Sequence, residues 1–346
     1  MSIFPLFQGF FQFDKKIFFI DRNISPWYCL IRRFPMIDVL SFGEPLVGFY
    51  PTSRQSLAGD SPIVKTWGGD TSNLALGIAR LGLSSQYLTR VGDDPFGEGF
   101  LSLWKRNGVD TSRIVKDPER RTGLYFVSFE GKKHLLTYYR ENSAASAISP
   151  ETITEEMVTT CKVIHLSGIS IGMSRSALET GQKLVNLARK HHVMVSFDIN
   201  YRSAQWDSPV TAARTLAESI GTGVTILEIT DDEMAALGWG TDIRHLGNMF
   251  PDCKHIVLKQ GMQGAQILSE GEVHHFPAIH VVVKDTVGAG DSFDAGYITA
   301  LLQGASVEEA GRFASATAAH TCTGTGPLEC MPTRIQVDTL LNSIRS

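Results

Sequence analysis

No stretch of this 346-residue chain stays apolar for the ~20 residues a membrane-spanning helix needs, so no span is predicted. Its five cysteines, Cys29, Cys161, Cys253, Cys322 and Cys330, are odd in number and never form CxxC. That argues against a disulfide framework or a zinc site and for reduced thiols in a cytoplasmic protein. An excess of charge of one sign is also missing: 32 Lys and Arg stand against 36 Asp and Glu, a net −4. Such a balance gives no footing to a nucleic acid or an acidic membrane as partner. The chain has no Walker loop ending in Gly-Lys-Ser/Thr, no GxGxxG dinucleotide fingerprint and no HExxH. Internal repeats and low-complexity tracts are lacking too. What remains is an ordinary globular composition, 43% hydrophobic and 20% charged, long enough to bury a sizeable core.

Residues 1–35 differ from the rest. They are crowded with aromatics, follow neither a helical nor an alternating period, and are broken by Asp14, Lys15, Lys16 and Asp21. We expect an N-terminal extension outside the fold, with an amphipathic membrane anchor as the alternative. From Met36 onward, apolar runs at 37–42, 163–166, 193–197, 224–227 and 256–258 predict buried parallel strands. Helical patterns at 70–81, 97–107, 174–190, 208–220 and 241–250 lie between them, with Asp70, Ser174 and Ser208 placed as caps. Alternation of this kind predicts an α/β doubly wound, mostly parallel sheet flanked by helices. Residues 45–66 and 120–140 break it with period-2 strands and a hairpin turning at Glu130-Gly131-Lys132. They predict a small separate β-sheet that could serve as a lid over the carboxyl ends of the main strands.

The segment DTVGAGDSFDAGY at 285–297 follows the apolar run FPAIHVVV and reads as strand, glycine turn and helix. Gly288 and Gly290 allow a sharp turn, and the helix start aims unpaired N–H donors at it, an arrangement that attracts phosphate. Asp291 in the first helical turn would face that phosphate at short range. This is unfavourable unless the carboxylate takes a proton from a hydroxyl, so base and anion cradle together suit phosphoryl transfer to an alcohol. The same Asp could simply complement the helix dipole. Upstream, TWGGDTSNLALGIARLG at 66–82 repeats the pattern: Gly68-Gly69, then Asp70 and Asn73 at a helix start. Those two polar residues could equally be a cap and a surface residue.

GGDTSNLALGIARLG, VGDDPFG at 91–97 and DTVGAGDSFDAGY resemble, in order and separation, the two signatures of the ribokinase-like PfkB carbohydrate kinases. The resemblance runs from about Met36 to the C-terminus and makes 36–346 a ribokinase-like kinase domain. It implies an ATP-dependent sugar kinase with Asp291 as base and the N–H groups of Gly288, Ala289, Gly290 and Asp291 as anion hole. Gly68, Gly69, Asp70 and Asn73 would contact the sugar. It further implies nucleotide contacts from LKQGMQG, namely Lys259, Gly261 and Gly264, although a plain glycine-bearing turn would also account for that loop. Relatives often carry Asn-x-x-Glu for magnesium; here it reads Thr230-Asp231-Asp232-Glu233, so only Glu233 takes the Mg2+-linked role, through water. A monovalent-cation site near Asp285 is left open, and exposed lid sheets imply a homo-oligomer paired through the lid.

Substrate choice points to a sugar acid. TYYRENSAAS supplies Tyr138 and Arg140, FDINYRSAQW supplies Arg202 and TGLYF supplies Tyr125. Two arginines converging on one pocket suggest an anion between them, and guanidinium groups clamp carboxylates. A structural ion pair for each is the alternative. These segments, with SGIS at 167–170, resemble 2-keto-3-deoxygluconate kinases, while fructokinases and tagatose kinases use much the same frame on neutral ketoses.

Overall fold

The continuous apolar runs become adjacent buried strands, because a parallel sheet covered on both faces leaves no polar side. The computed structural model describes residues 36–53, 56–60, 62–131, 133–221 and 223–345. The expected extension over 1–35 and Lys132 of the expected hairpin turn lie outside the described residues. In chain order the strands are β1 (Ile37–Phe42), β2 (Leu46–Pro51), β3 (Ile63–Gly68), β4 (Ser85–Gly92), β5 (Val109–Asp110), β6 (Ile114–Asp117) and β7 (Gly123–Glu130). They continue with β8 (Lys133–Tyr139), β9 (Cys161–Ser167), β10 (Met194–Asp198), β11 (Ile226–Thr230), β12 (His255–Lys259), β13 (Ala265–Ser269) and β14 (Glu272–Phe276).

The main sheet runs β14-β13-β12-β11-β10-β9-β1-β4-β5, with β6 also on β4. Pairing is parallel from β12 through β4 and antiparallel at the β12-β13-β14 edge. One apolar cluster, with Phe42, Ile164, Leu184 and Phe197, covers one face; another, with Leu74, Val257, Phe293 and Tyr297, covers the other. The predicted helices appear as Asp70–Arg80, Pro95–Arg106, Arg175–Lys190, Pro209–Ile220 and Ile243–Met249. Ser174 and Ser208 cap theirs by accepting from Ala177 N and Thr211 N. No helix among the described residues is long and apolar enough to cross a membrane.

A second sheet, β3-β2-β7-β8, carries the hairpin and both segments that broke the alternation. Two local readings need correction. FPAIHVVV is not a strand: β14 ends at Phe276, and 277–287 is irregular chain with Val282 and Val283 exposed. β14 is the edge strand of the sheet, and the run leaves it at Pro277, which has no N–H to give to a ladder. Asp70 is not a cap: Gly69 occupies that position, leaving the Asp70 side chain for other partners.

Candidate active site

Ligands bind open α/β sheets beyond the carboxyl ends of their strands, and here two helices start there. Gly69 precedes the helix Asp70–Arg80 with φ +98°, and a Cβ on it would stand 2.3 Å from Glu44 O. Only glycine tolerates both demands. Gly288, φ +82°, precedes the helix Ala289–Leu302 in the same manner, pressed against Pro327. The N–H of Ala289 donates to Thr286 O at 3.2 Å, whereas those of Gly288, Gly290 and Asp291 have no acceptor among the described residues. The anion hole expected from four N–H groups therefore has three of them open.

The two helix starts meet. Asn73 Nδ2 donates to Asp291 Oδ2 at 2.6 Å across 218 residues of chain. Burial, together with the negative charge of Asp70, pushes the Asp291 carboxyl up to about 7. Asp70 accepts from Ser167 Oγ, at the end of β9, and from Asn200 Nδ2 at 3.4 Å. Its other oxygen, Oδ1, is buried without a hydrogen-bond partner, as is Asn73 Oδ1. Two unsatisfied acceptors beside a carboxyl of raised pKa could take hydroxyl donors, since leaving them bare costs free energy that a donor recovers. The expected sugar residues Asp70 and Asn73 are thus brought together with Asp291, and Gly68 lies against Tyr125, its would-be Cβ 3.2 Å from the hydroxyl.

The small sheet supplies the roof. Tyr125 is buried, its hydroxyl 3.1 Å from that of Tyr50, and its ring lies 6.2 Å from that of Tyr138. Arg140 sits over the Tyr138 ring, 5.9 Å from the centroid. Each arginine has an internal partner: Arg140 Nη2 lies 2.5 Å from Glu44 Oε2, and Arg202 Nη1 lies 3.4 Å from Glu233 Oε1. Ser143 Oγ also donates to Glu44. Glu44 and Glu233 thus balance the two arginines without a bound anion, which is the structural ion pair for each that stood as the alternative. Both still feel Asp70, which puts them around one site.

Glu233 has a second task. Thr230, standing where Asn is usual, caps the helix Asp231–Ala236, and Glu233 Oε2 accepts from Thr230 N at 3.0 Å in a capping box. With both oxygens engaged it makes a poor direct metal ligand. Lys259 ends β12, where it is buried and bonded to both oxygens of Asp294 at 3.0 Å and lies 3.3 Å from Asp198. Gly261 and Gly264 shape the β12–β13 hairpin turn at φ +55° and +96°. Asp285 braces the loop before the anion hole by accepting from Val287 N and Gly326 N.

Sequence reasoning passed over Glu44, Asp198, Asn200, Glu228 and Asp294. An acid inside an otherwise apolar strand or helix, as in ILEIT or SFDAGY, is the signal that could have found Glu228 and Asp294. The letters GISIG at 168–172 also spell GxSxG, the nucleophile-elbow pattern. Ser170 is fully buried, however, its hydroxyl 3.0 Å from that of Ser167, so the site is not a hydrolase's.

The sequence profile described as "pfkB family carbohydrate kinase" matches residues 36–334. Among curated proteins, the chain is 30% identical over 311 residues to "Probable fructokinase-3" of Arabidopsis thaliana, covering 86% of this chain and 89% of that one. It is 28% identical over 316 residues to "2-dehydro-3-deoxygluconokinase" of Thermoproteus tenax, covering 89% and 95%. Among solved structures, a fructokinase with bound ATP from Xylella fastidiosa superposes with a TM-score of 0.81 at 22% identity, covering 89% of this chain and 99% of that one. A carboxyl flanked by open helix N–H groups, unsatisfied acceptors and a second sheet thus coincides with the family match, and the chain belongs to the pfkB family of carbohydrate kinases.

Proposed function

We propose that this kinase transfers the γ-phosphoryl group of ATP to the terminal hydroxyl of a 2-keto-3-deoxy sugar acid, 2-keto-3-deoxygluconate foremost, giving the 6-phosphate. One observation carries the sugar-acid reading: two arginines are held in place by the carboxylates of buried Glu44 and half-buried Glu233 while donors remain unspent. Arg202 uses Nη1 on Glu233 and on Tyr201 O, and Arg140 uses Nη2 on Glu44, so other guanidinium N–H groups of both stay open. Fixed, charge-balanced arginines with free donors make a preorganised carboxylate receptor. The Thermoproteus relative's name supports it.

In this reading Asp70 and Asn73 hold sugar hydroxyls and Asn73 aims the Asp291 carboxylate. Asp291 takes the proton of the attacking hydroxyl. The open N–H groups of Gly288, Gly290 and Asp291 stabilise charge developing on the transferred group. Magnesium would neutralise phosphate charge, with Glu233 reaching it through water. Closure of the small sheet excludes water. Exposed Ile63, Val64, Leu136 and Tyr139 on its two edge strands support pairing of copies through that sheet. Free cysteines among the described residues support a cytoplasmic setting.

The second reading, a kinase of neutral ketoses such as fructose or tagatose, is favoured by the same ion pairs, which leave no net positive charge in the pocket, and by the fructokinase relative. A coupled ADP-release assay over 2-keto-3-deoxygluconate, 2-keto-3-deoxygalactonate, fructose, tagatose and ribose separates them. A kcat/KM for a keto-deoxy acid at least ~100-fold above that for fructose is expected, roughly the worth of one bidentate charged contact. Fructose as the better substrate would refute the sugar-acid reading.

A further inference from the structure

One face of the main sheet carries a polar stripe directly beneath the anion hole. Register places His165 beside Ser196 and Ser167 beside Asp198; Asp198 is beside Glu228, and Thr230 is beside Lys259. Successive same-face positions therefore put His165, Ser196, Asp198, Glu228 and Lys259 toward the helix Ala289–Leu302. That helix answers with Asp294, one turn after Gly290 on the same side. Asp198, Glu228 and Asp294 are 5%, 0% and 1% exposed, and their oxygens lie within 4.8 Å of one another. Such a group would hold a metal ion but for one fact: the Lys259 ammonium already sits in it, 3.0 Å from both Asp294 oxygens and 3.3 Å from Asp198. The ammonium also lies 3.5 Å from where a Gly290 side chain would begin. That is ordinary contact distance, so the ammonium lies directly beside the start of the helix.

We propose that Lys259 is a positioning residue rather than a phosphate ligand: the resident cation of a three-carboxylate cage, it ties the start of the helix Ala289–Leu302 to β10, β11 and β12. Through that tie it holds Gly290 and Asp291 in line with the sugar. With Nζ spent on Asp294 and Asp198, little of the ammonium is left to reach ATP. The cage also sets the field on the base. Lys259 draws the Asp291 carboxyl down, Asp198 and Asp70 push it up, and burial pushes it up most. Three carboxylates around one ammonium cannot all ionise there. Burial raises both Glu228 and Asp294, and the Glu228 charge pushes Asp294 further up, so the pair resists double ionisation. The groups facing Lys259 are Asp198 from β10, Glu228 from β11, Asp294 from the helix and Glu233 beyond β11. His165 on β9 is kept neutral by burial, its pKa down to about 4.

The test compares Lys259→Met, Lys259→Arg and Asp198→Asn in the full chain, using the wild type's best sugar, so it does not depend on which sugar that is. Lys259→Met should lower kcat about 100-fold, the cost of a misplaced reacting group, while KM for ATP stays within threefold. Its acid limb of kcat should move up by about one pH unit, the usual effect of losing a close opposite charge. Asp198→Asn should move that limb down, and Lys259→Arg should return it toward wild type. Opposite shifts from neighbouring variants are not produced by a merely structural role. An unmoved limb in folded Lys259→Met overturns the proposal, as does a KM for ATP raised tenfold. If Lys259→Met does not fold, the limb of Asp198→Asn alone decides, a downward shift supporting and no shift overturning.

Discussion

Asp291→Asn should damage the reaction and stabilise the protein, and the two effects share one cause. Burial and the Asp70 charge move the Asp291 pKa from 3.8 in the unfolded chain to about 7 in the folded one. Folding therefore opposes ionisation, and each pH unit of that difference is about 1.4 kcal/mol. The roughly three units cost about 4 kcal/mol of stability at any pH above 7. The cost is absent below about pH 3.8 and grows as pH rises through the interval between the two pKa values. Asparagine cannot ionise and can still accept from Asn73. At pH 8 the variant should therefore gain up to about 4 kcal/mol, an increase in Tm of roughly 5 °C or more, and at pH 4 the gain should vanish. Its kcat should fall at least ~100-fold with little change in KM, because the proton acceptor is lost. Thermal melts at both pH values, paired with coupled ADP release, read both effects. A variant no more stable than wild type at pH 8, or one keeping more than a tenth of kcat, would refute the reasoning.

Arg202→Ala should raise KM for a keto-deoxy acid by tenfold or more while sparing KM for ATP; equal losses on fructose would count against a carboxylate receptor. Gly69→Ala forces a side chain into φ +98° and against Glu44 O, so it should cost about 2–3 kcal/mol in urea unfolding and raise the sugar KM. Thr230→Ala breaks the capping box that holds Glu233. It should lose about 1 kcal/mol and need several-fold more magnesium for half-maximal rate, measured by titration at fixed ATP.

The layer order was legible because parallel strands covered on both faces must be apolar throughout, as IDVLSF and VIHL are. Both helix starts could be read from their glycines, since a positive φ and a close approach leave few other residues possible. The antiparallel edge was hidden because AQILS and EVHHF are short and mixed in polarity. FPAIHVVV misled because apolar content was taken for pairing, whereas only its first residue, Phe276, belongs to a strand. Asp70 showed a helix start without showing that Gly69 would take the cap and free its carboxylate for Ser167 and Asn200. Arg140 and Arg202 both lie within electrostatic reach of Asp70, but their partners Glu44 and Glu233 come from distant segments. No local pattern announces such a long-range ion pair. The Lys259 cage is the same case, built from three strands and a helix.

The most direct test of Asp291 as the base is the pH dependence of kcat in the wild-type enzyme with saturating sugar and ATP. The base works only when ionised, so the rate should rise with pH as a single-proton limb with a midpoint near 7. A rate that stays level from pH 5 to pH 8 would contradict the Asp291 carboxylate as proton acceptor.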